Sequence, residues 1–358
     1  QPLTDQLRIS RQKLAFILDS TSSPVAILIP FIGWGVFIMS VIADAFSANG
    51  IAASEWSAFV AAIPFQLYAW LAIFMVPALT TLKFDYGPMA VAESANALSP
   101  VPAAQADENG RARPILVWLP LVVLGATLFV TLANHGFPFE QVAGSDFRAG
   151  LSAAYFLAAV TLVGLVVGFG ITPLARTFSQ YVEGMTGMMP IAATLVLAWT
   201  LGAVSEALGT GAYVADVARD GIPGGMLPAV TFILAAIISF ATGSSWGTII
   251  IMMPLAIPAA IATDAIMPVV IGSVLSGGLF GDHSSPVSET TILSSTGAGT
   301  SPIEHFRTQM PYSVTYVAIA LTGFLVEGVT VSTWVVEAII AVQFGFLWAI
   351  RRHQQLPL

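Results

Sequence analysis

The chain has 358 residues, of which 56% are apolar and only 9% are charged, and its mean hydropathy is +0.84. Soluble proteins carry about 25% charged residues, so this composition excludes a soluble globular enzyme and a disordered protein. The formal net charge of −8 excludes a nucleic-acid binder, because it repels phosphate backbones. The absence of cysteine excludes disulfides, iron–sulfur clusters and cysteine-ligated zinc. We therefore predict an all-α polytopic membrane protein in a lipid bilayer.

Ten apolar segments are predicted to cross the membrane, since about 20 helical residues span its hydrocarbon core. They are 24–43, 56–82, 114–133, 150–170, 188–209, 226–242, 246–263, 266–281, 311–330 and 332–350. The long segment 56–82 contains Pro64 and Pro77, which predict a kink or a tilt. We predict that the whole chain, 1–358, forms one transmembrane domain.

The lysine and arginine residues predict the orientation, because cytoplasmic loops carry an excess of both. Threading the ten segments puts ten of these residues on one side, namely Arg8, Arg11, Lys13, Lys83, Arg111, Arg113, Arg176, Arg307, Arg351 and Arg352. Only Arg148 and Arg219 fall on the other side. The linker 83–113 is therefore predicted to be a solvated cytoplasmic loop, and nothing in it suggests chemistry.

Two segments of the chain repeat the same pattern in opposite orientation. Residues 19–25 read Asp-Ser-Thr-Ser-Ser-Pro-Val, and residues 282–287 read Asp-His-Ser-Ser-Pro-Val. Inverted repeats with polar, broken helices are typical of secondary transporters whose site lies near the membrane midplane. The alternative is a chance likeness between two Ser-rich helix starts. The first repeat is short, and residue 1 is Gln rather than Met, so we expect the sequence to begin inside a longer protein.

Four acidic residues lie inside or beside apolar segments without a basic partner nearby in sequence. They are Asp19, Glu206, Asp282 and Glu289. Such a carboxylate must be protonated, paired with a distant helix or bound to a cation, because an isolated charge in lipid is costly. Exchange of a proton for a metal cation on one carboxylate is the chemical basis of a cation/proton exchanger. The alternative is that each aspartate caps a Ser-rich helix start.

The stretch 284–301 is the richest in candidate ligands, since ten of its 18 residues are Ser or Thr. If it continues the preceding helix, Asp282, Ser285 and Glu289 share one face. Hydroxyl and carboxylate oxygens are suited to a hard cation such as Na⁺. The alternative is a Ser/Thr-rich contact between helices. The region 226–310 is thus predicted to hold the ion or substrate site of the second repeat.

A second polar break lies at 241–248, Ala-Thr-Gly-Ser-Ser-Trp-Gly-Thr. Gly243 and Gly247 are expected to open the backbone there. A half-helix that starts near Trp246 directs its N–H groups into the site, which favours an anion or a carboxylate substrate. The alternative is a helix kink at which small residues allow neighbouring helices to pack closely.

Two histidines directly follow acidic residues in the sequence. His283 follows Asp282 and is a candidate for proton coupling, or for a donor that holds Asp282 in place. His305 adjoins Glu304 and Arg307 and is expected at the surface. The spacing of His, Asp and Glu resembles no zinc site and there is no Walker A motif, so no cofactor is expected beyond Na⁺ itself.

Residues 281–299 closely resemble the signature of NhaC-type sodium/proton antiporters. They read Gly-Asp-His-Ser-Ser-Pro-Val-Ser-Glu-Thr-Thr-Ile-Leu-Ser-Ser-Thr-Gly-Ala-Gly. Residues 18–35, 198–211 and 241–248 agree with the same family. The resemblance implies two inverted repeats with re-entrant hairpins and broken helices, an elevator-like motion and, often, a homodimer. It also implies exchange of Na⁺ for H⁺, whereas some relatives move organic acids or amino acids.

We therefore predict a Na⁺/H⁺ antiporter of the bacterial inner membrane, not an enzyme. Asp282 and Glu289 are the predicted shared cation and proton carboxylates, and Asp19 is their inverted-repeat counterpart. The other predicted binding residues are Ser284, Ser285, Ser288, Thr290, Thr242, Ser244, Ser245, Trp246, Thr21, Ser22 and Glu206.

Two alternatives remain open. The first is a Na⁺- or H⁺-coupled carrier of a small carboxylate-bearing solute, either an organic acid or an amino acid. The second is a channel or a passive scaffold. An intramembrane enzyme is disfavoured because no lysine follows Lys83 and no other catalytic constellation is present.

Overall fold

The computed structural model describes residues 7, 9–98, 113–137, 144–187, 207–332 and 334–354, with isolated positions between 188 and 206. Every regular element in these ranges is a helix. The first half contains α1 Arg11–Ser20, α2 Ser23–Ala26, α3 Gly33–Ala48, α4 Glu55–Ala62, a 3₁₀ turn Ile63–Phe65, α5 Leu67–Leu82, α6 Pro88–Leu98, α7 Ile115–Ala133 and α8 Gly144–Gly168. The second half contains α9 Leu174–Gly187, α10 Thr210–Gly221, a 3₁₀ turn Gly224–Met226, α11 Leu227–Thr242, α12 Ser245–Ala262, α13 Met267–Ser284, α14 Glu289–Ala298, α15 Pro302–Thr330 and α16 Val335–Gln354.

The polytopic all-α prediction is confirmed, although the count of ten continuous spans is not. Within the described residues, five helical segments are long and apolar enough to cross a membrane, and a bent pair raises the number to six. Predicted segment 24–43 is not continuous, because residues 27–32 separate α2 from α3. Of predicted segment 188–209, only isolated positions and the last three residues are described.

The predicted kink in segment 56–82 is present. The pair formed by Glu55–Phe65 and Leu67–Leu82 bends by 48° at Gln66. Pro64 lies in the 3₁₀ turn before the bend, where its missing N–H removes a helical hydrogen bond. The bend lets α5 follow α13, and Tyr68 N donates to Ser276 Oγ at 3.4 Å.

Helices α11 and α12 form a hairpin whose tip is the polar break at 242–244. Gly243 has φ +67°, a left-handed conformation that favours glycine, and it ends α11. The two open ends of the hairpin lie together, because Gly224 contacts the carbonyl of Thr263. The hairpin therefore returns to the side from which it starts.

Helix α13 runs parallel to α11 and stops level with the hairpin tip. Thr231 Oγ1 lies 2.6 Å from Ser273 Oγ, and Ser239 Oγ donates to Gly278 O at 2.5 Å. Residue numbers therefore increase in the same direction along the two helices. A β-carbon on Gly243 would lie 3.0 Å from Ser288 N, which places the tip beside the break between α13 and α14. Helices α13 and α14 thus form one broken crossing, which continues beyond the tip of the hairpin.

Helix α1 enters from the opposite end and also stops at a break. Ser10 is its N-cap, and Arg11 Nη1 donates to Ala298 O at 3.4 Å, so α1 and α14 lie side by side and antiparallel. Asp19 lies nine residues after Ser10, roughly 14 Å along the helix and near half of a hydrocarbon core about 30 Å thick. The two repeated Asp motifs therefore meet in the interior from opposite sides of the molecule.

Helix α15 runs back along the full length of the helix bundle and covers its interior. Its far end packs at Gly328 against Gly225, next to the open end of the hairpin. Its near half faces α1, α5 and α13. In contrast, α7 packs on α8 and exposes apolar side chains along most of its length, with Trp118 66% exposed. Such a surface is suited to lipid.

The linker contains more structure than the sequence predicts. Residues 88–98 form α6, and Ser10 N donates to Glu93 Oε1 at 2.8 Å. Asp85 forms an ion pair with Lys13 at 2.6 Å and accepts from Tyr312 Oη at 2.9 Å. The start of the linker is therefore a folded attachment of α1 and α15 and not a simple solvated loop.

Candidate functional site

A buried cluster of polar side chains lies where α1, α13, α14 and α15 meet. All of its members are at most 8% exposed. They are Asp19, Ser20, Ser23, Tyr68, Asp282, His283, Ser284, Ser288, Ser294, His305 and Gln309. We call this set the buried cluster. It draws on both copies of the repeated motif and on three helices that do not carry that motif, α5, α14 and α15.

Both aspartates of the buried cluster lie at helix C-termini. Asp19 is the residue before the last one in α1, and Asp282 lies two residues before the end of α13. The capping alternative is therefore wrong, because it requires an aspartate at a helix start. A helix C-terminus carries partial negative charge, so it adds to the potential of each carboxylate and favours a cation.

Asp19 is held by three side-chain donors from α14 and α15. Gln309 Nε2 donates to Oδ2 at 2.9 Å, and His305 Nε2 donates to the same oxygen at 3.2 Å. Ser294 Oγ donates to Oδ1 at 3.3 Å. Both carboxylate oxygens of Asp19 are thus hydrogen-bonded, and the residue is fully buried.

Asp282 has a different environment, formed mainly by hydroxyl groups. Ser288 Oγ donates to Oδ1 at 3.1 Å, and Thr290 Oγ1 donates to the main-chain carbonyl of Asp282 at 2.9 Å. Ser23 is buried at the start of α2, which contacts α13, and its Oγ has no hydrogen-bond partner among the described residues. Oδ2 of Asp282 is buried without a hydrogen-bond partner among the described residues.

His283 links the two motifs. Its Nε2 lies 3.0 Å from Ser20 Oγ, and its Nδ1 lies 3.0 Å from Tyr68 Oη. Tyr68 Oη is also 3.2 Å from Ser284 Oγ. Both ring nitrogens are therefore engaged, so the imidazole ties the end of α1 to the end of α13.

The buried cluster has no basic counter-charge of the lysine or arginine type. Among the described residues no Lys or Arg side chain is buried, while Asp19 and Asp282 both are. Gln309 Nε2 contacts both Asp19 Oδ2 and the carbonyl of His283, the residue after Asp282, so the two carboxylates lie in one buried region where like charges repel each other. Burial of unpaired charge is strongly unfavourable, so this arrangement requires a bound proton or cation to be stable.

The hairpin tip lies next to the buried cluster and contains the predicted polar break. Helix α12 starts at Ser245, and Ser244 caps it by accepting from Gly247 N at 3.2 Å. Ser245 is fully buried, and its Oγ has no partner among the described residues. Trp246 packs on Trp34 and Phe37 of α3, with ring centroids 5.1 and 4.4 Å away. Thr242 is exposed beside this tip.

The predicted ligands divide into two groups in the structure. Ser284, Ser285 and Ser288 are buried around Asp282, and Thr290 is half-buried beside them. Glu289, Thr21 and Ser22 are exposed instead. Glu206 lies outside the described residues.

The expected shared face of Asp282, Ser285 and Glu289 is wrong, because the helix does not continue through residues 285–288. Ser285 is extended at φ −80° and ψ 135°, and Pro286 follows it. Helix α14 then starts at Glu289, where a carboxylate benefits from the positive end of the helix. The break turns Glu289 out to the surface and leaves Asp282 inside.

Sequence reasoning missed six members of the buried cluster. They are Ser20, Ser23, Tyr68, Ser294, His305 and Gln309. The surface prediction for His305 is wrong, since this side chain is fully buried against Asp19. Its charged neighbours Glu304 and Arg307 are exposed on the other face of α15. The i, i+4 spacing of His305 and Gln309 was the available signal, because it puts both on one helix face.

The sequence matches the profile of the Na⁺/H⁺ antiporter family over residues 25–329. An uncharacterized protein of Haemophilus influenzae is 32% identical over 352 residues, covering 93% of this chain and 66% of that protein. A malate-2H⁺/Na⁺-lactate antiporter of Bacillus subtilis is 27% identical and covers 58% of this chain and 43% of that protein. An uncharacterized Na⁺/H⁺ antiporter of Haemophilus influenzae is 34% identical over 95 residues, which are 26% of this chain and 20% of that protein.

The chain thus spans less than two thirds of the length of these relatives. No solved structure matches it significantly. The family profile nevertheless covers most of the chain, from Val25 onward, including the hairpin and the Asp282 motif. The chain is a multi-pass membrane protein that belongs to the Na⁺/H⁺ antiporter family.

Proposed function

We propose that the protein is a secondary active antiporter that exchanges Na⁺ for H⁺ across the bacterial inner membrane. The observation that carries the proposal is Asp282, a buried carboxylate at a helix C-terminus whose Oδ2 has no hydrogen-bond partner in the part of the chain that the structure describes. The family and the Na⁺/H⁺ antiporter named among the relatives support the choice of ions. The ion gradients supply the energy, and no cofactor takes part.

Competition for one carboxylate accounts for the coupling. When Asp282 carries a proton it is neutral and has no full charge to offer Na⁺. When Na⁺ is bound, the carboxylate is ionised and its charge is compensated. An ionised Asp282 without Na⁺ is the least stable form in this buried site. The site therefore moves across the membrane with either a proton or Na⁺ bound.

The broken helices provide the element that changes access. The hairpin tip, the α13–α14 break and the end of α1 meet at the buried cluster, and the cluster is closed in the described arrangement. Release of an ion therefore requires these elements to move relative to their surroundings, in line with an elevator-like mechanism.

Reconstitution of the full chain in proteoliposomes tests the proposal. With an imposed pH gradient, addition of Na⁺ is expected to dissipate the gradient, whereas choline is not. The Asp282→Asn variant is the matched control, because the amide keeps the size of the side chain but cannot release a proton. A gradient that Na⁺ leaves unchanged would contradict the proposal.

A second candidate function is a Na⁺- or H⁺-coupled exchanger of a small carboxylate. The relative named as a malate-2H⁺/Na⁺-lactate antiporter favours it. So does the hairpin tip, where α12 presents its N-terminus and Ser245 Oγ has no hydrogen-bond partner within the described ranges. If Na⁺ dissipates the gradient only when malate, lactate or another organic acid is present, this candidate replaces the first.

The assembly is proposed to be a homodimer, as the sequence resemblance implies. Light scattering of the detergent-solubilised protein measures this directly, after subtraction of the detergent mass. A monomer at all protein concentrations would contradict the dimer and would leave the exchange activity untouched.

A further inference from the structure

Three buried oxygen atoms in the buried cluster have no hydrogen-bond partner among the described residues. They are Oδ2 of Asp282, Oγ of Ser23 and Oε1 of Gln309. Their side chains are 4%, 4% and 2% exposed. A buried polar atom without a partner is rare in native proteins, and several in one place indicate a ligand.

The orientation of Gln309 is fixed by its other contacts. Its Nε2 donates to Asp19 Oδ2 at 2.9 Å and also to the main-chain carbonyl of His283. Both partners are pure acceptors, so a flipped amide would set oxygen against oxygen. Oε1 must therefore point away from them, into the interior beside the end of α13.

The three atoms come from three helices that meet at one place. Ser23 opens α2, is buried, and belongs to a helix that contacts α13, which carries Asp282. Gln309, on α15, contacts the carbonyl of the residue that follows Asp282. Each atom is a hard oxygen, and only Asp282 carries charge, which is the donor chemistry of a monovalent hard cation such as Na⁺.

We infer that Asp282 Oδ2, Ser23 Oγ and Gln309 Oε1 together bind the transported Na⁺. The inference rests on the proposed function and assigns two ligands, Ser23 and Gln309, from parts of the chain outside the Ser/Thr-rich stretch. Gln309 then holds Asp19 through its nitrogen and Na⁺ through its oxygen. Binding of Na⁺ thereby joins α2 and α15 to the end of α13.

Replacement of oxygen by sulfur at Ser23 is the first test. Ser23→Cys changes the volume little but offers a soft ligand, so equilibrium binding of ²²Na⁺ is expected to weaken by about tenfold or more. Competition by Tl⁺, a soft monovalent cation, is expected to be retained or strengthened. The control is Ser273→Cys, a buried serine nine residues before Asp282 whose hydroxyl is already bonded to Thr231.

Replacement of the glutamine amide is the second test. Gln309→Met is expected to weaken Na⁺ binding by about tenfold or more. Gln343→Met is the matched control, since Gln343 is also buried, donates to one main-chain carbonyl at 2.8 Å and has an unpartnered Oε1. Its effect on Na⁺ binding is expected to stay within about twofold.

The outcomes separate this inference from the proposed function. Wild-type Na⁺ affinity in both Ser23→Cys and Gln309→Met would overturn the assignment, even if the wild-type protein exchanges Na⁺ for H⁺. Equal losses in the two control variants would overturn it as well, because the effect would then be general. Should Gln309→Met fail to fold, the change in Tl⁺ preference of Ser23→Cys decides the matter. Failure of the wild-type protein to bind Na⁺ would instead remove the proposed function.

Discussion

The ends of α1 and α13 carry the same Asp and Ser-Ser-Pro-Val pattern but have different surroundings. Asp19 accepts hydrogen bonds from Gln309, His305 and Ser294, so both of its oxygens are engaged. Asp282 accepts one hydrogen bond from Ser288, and its second oxygen has no partner among the described residues. The difference arises because α15 directs its polar face at the first motif.

This comparison indicates that the two carboxylates have different roles, although they occupy equivalent positions in the repeated motif. Donors around Asp19 stabilise its negative charge in place. Asp282 lacks such donors on one oxygen, and therefore depends more strongly on a cation or a proton. In our interpretation, Asp282 carries the transported ion, while Asp19 is a fixed negative group that keeps the region attractive to cations.

The largest expected effect follows from removing the charge of Asp282. A contact between unit charges at about 4 Å contributes roughly 4 kcal/mol at an effective dielectric constant of 20, which corresponds to about 10³-fold in affinity. Asp282→Asn is therefore expected to abolish measurable Na⁺ binding and exchange with the fold intact. Equilibrium ²²Na⁺ binding and a melting curve check the two parts. Retained exchange would assign a structural role to Asp282.

Asp19→Asn is expected to act mainly on stability. The amide keeps one acceptor oxygen but presents its NH₂ group to the donors that now bind Asp19. Hydrogen bonds to a charged group contribute about 1.5–3 kcal/mol each, so a loss of roughly 3 kcal/mol in unfolding free energy is expected. Thermal unfolding in detergent measures this change. If Asp19→Asn leaves stability unchanged and abolishes Na⁺ binding, the proposed roles of the two aspartates are reversed.

Competition between Na⁺ and H⁺ predicts a pH dependence carried by Asp282. Where the proton occupies the carboxylate, each unit decrease in pH is expected to weaken apparent Na⁺ affinity by up to about tenfold. The affinity is expected to reach a constant value at high pH, where the carboxylate is free of protons. Binding isotherms over a series of pH values check the slope. A Na⁺ affinity independent of pH would exclude competition for a shared carboxylate.

The smallest effect is expected for Glu289, the second carboxylate that the sequence predicts as a shared ligand. Because its side chain is exposed, its contribution to cation attraction is expected to be at most about 1 kcal/mol, or roughly fivefold in affinity. Glu289→Gln is therefore expected to lower Na⁺ affinity only slightly, with less effect at high ionic strength. A loss as large as that of Asp282→Asn would restore the paired-carboxylate prediction.

The sequence by itself determined the class of protein, the positions of most apolar helices and the location of the break at 242–244. Composition determined the class of protein, because 9% charged residues cannot cover a water-facing surface. The break at 242–244 followed from Gly243 and the polar residues around it, and the structure places a left-handed glycine there. These features depend on local chemistry, which neighbouring residues specify.

Only the tertiary structure decided which polar groups meet. Gln309 and Asp19 are 290 positions apart in sequence, and no local pattern links them. The extended conformation of Ser285 ended α13, turned Glu289 outward and left Asp282 inside, whereas a continuous helix would have put both acids on one face. The environment of a buried carboxylate is set by side chains from other helices, so their packing, and not the repeated motif, distinguishes Asp282 from Asp19.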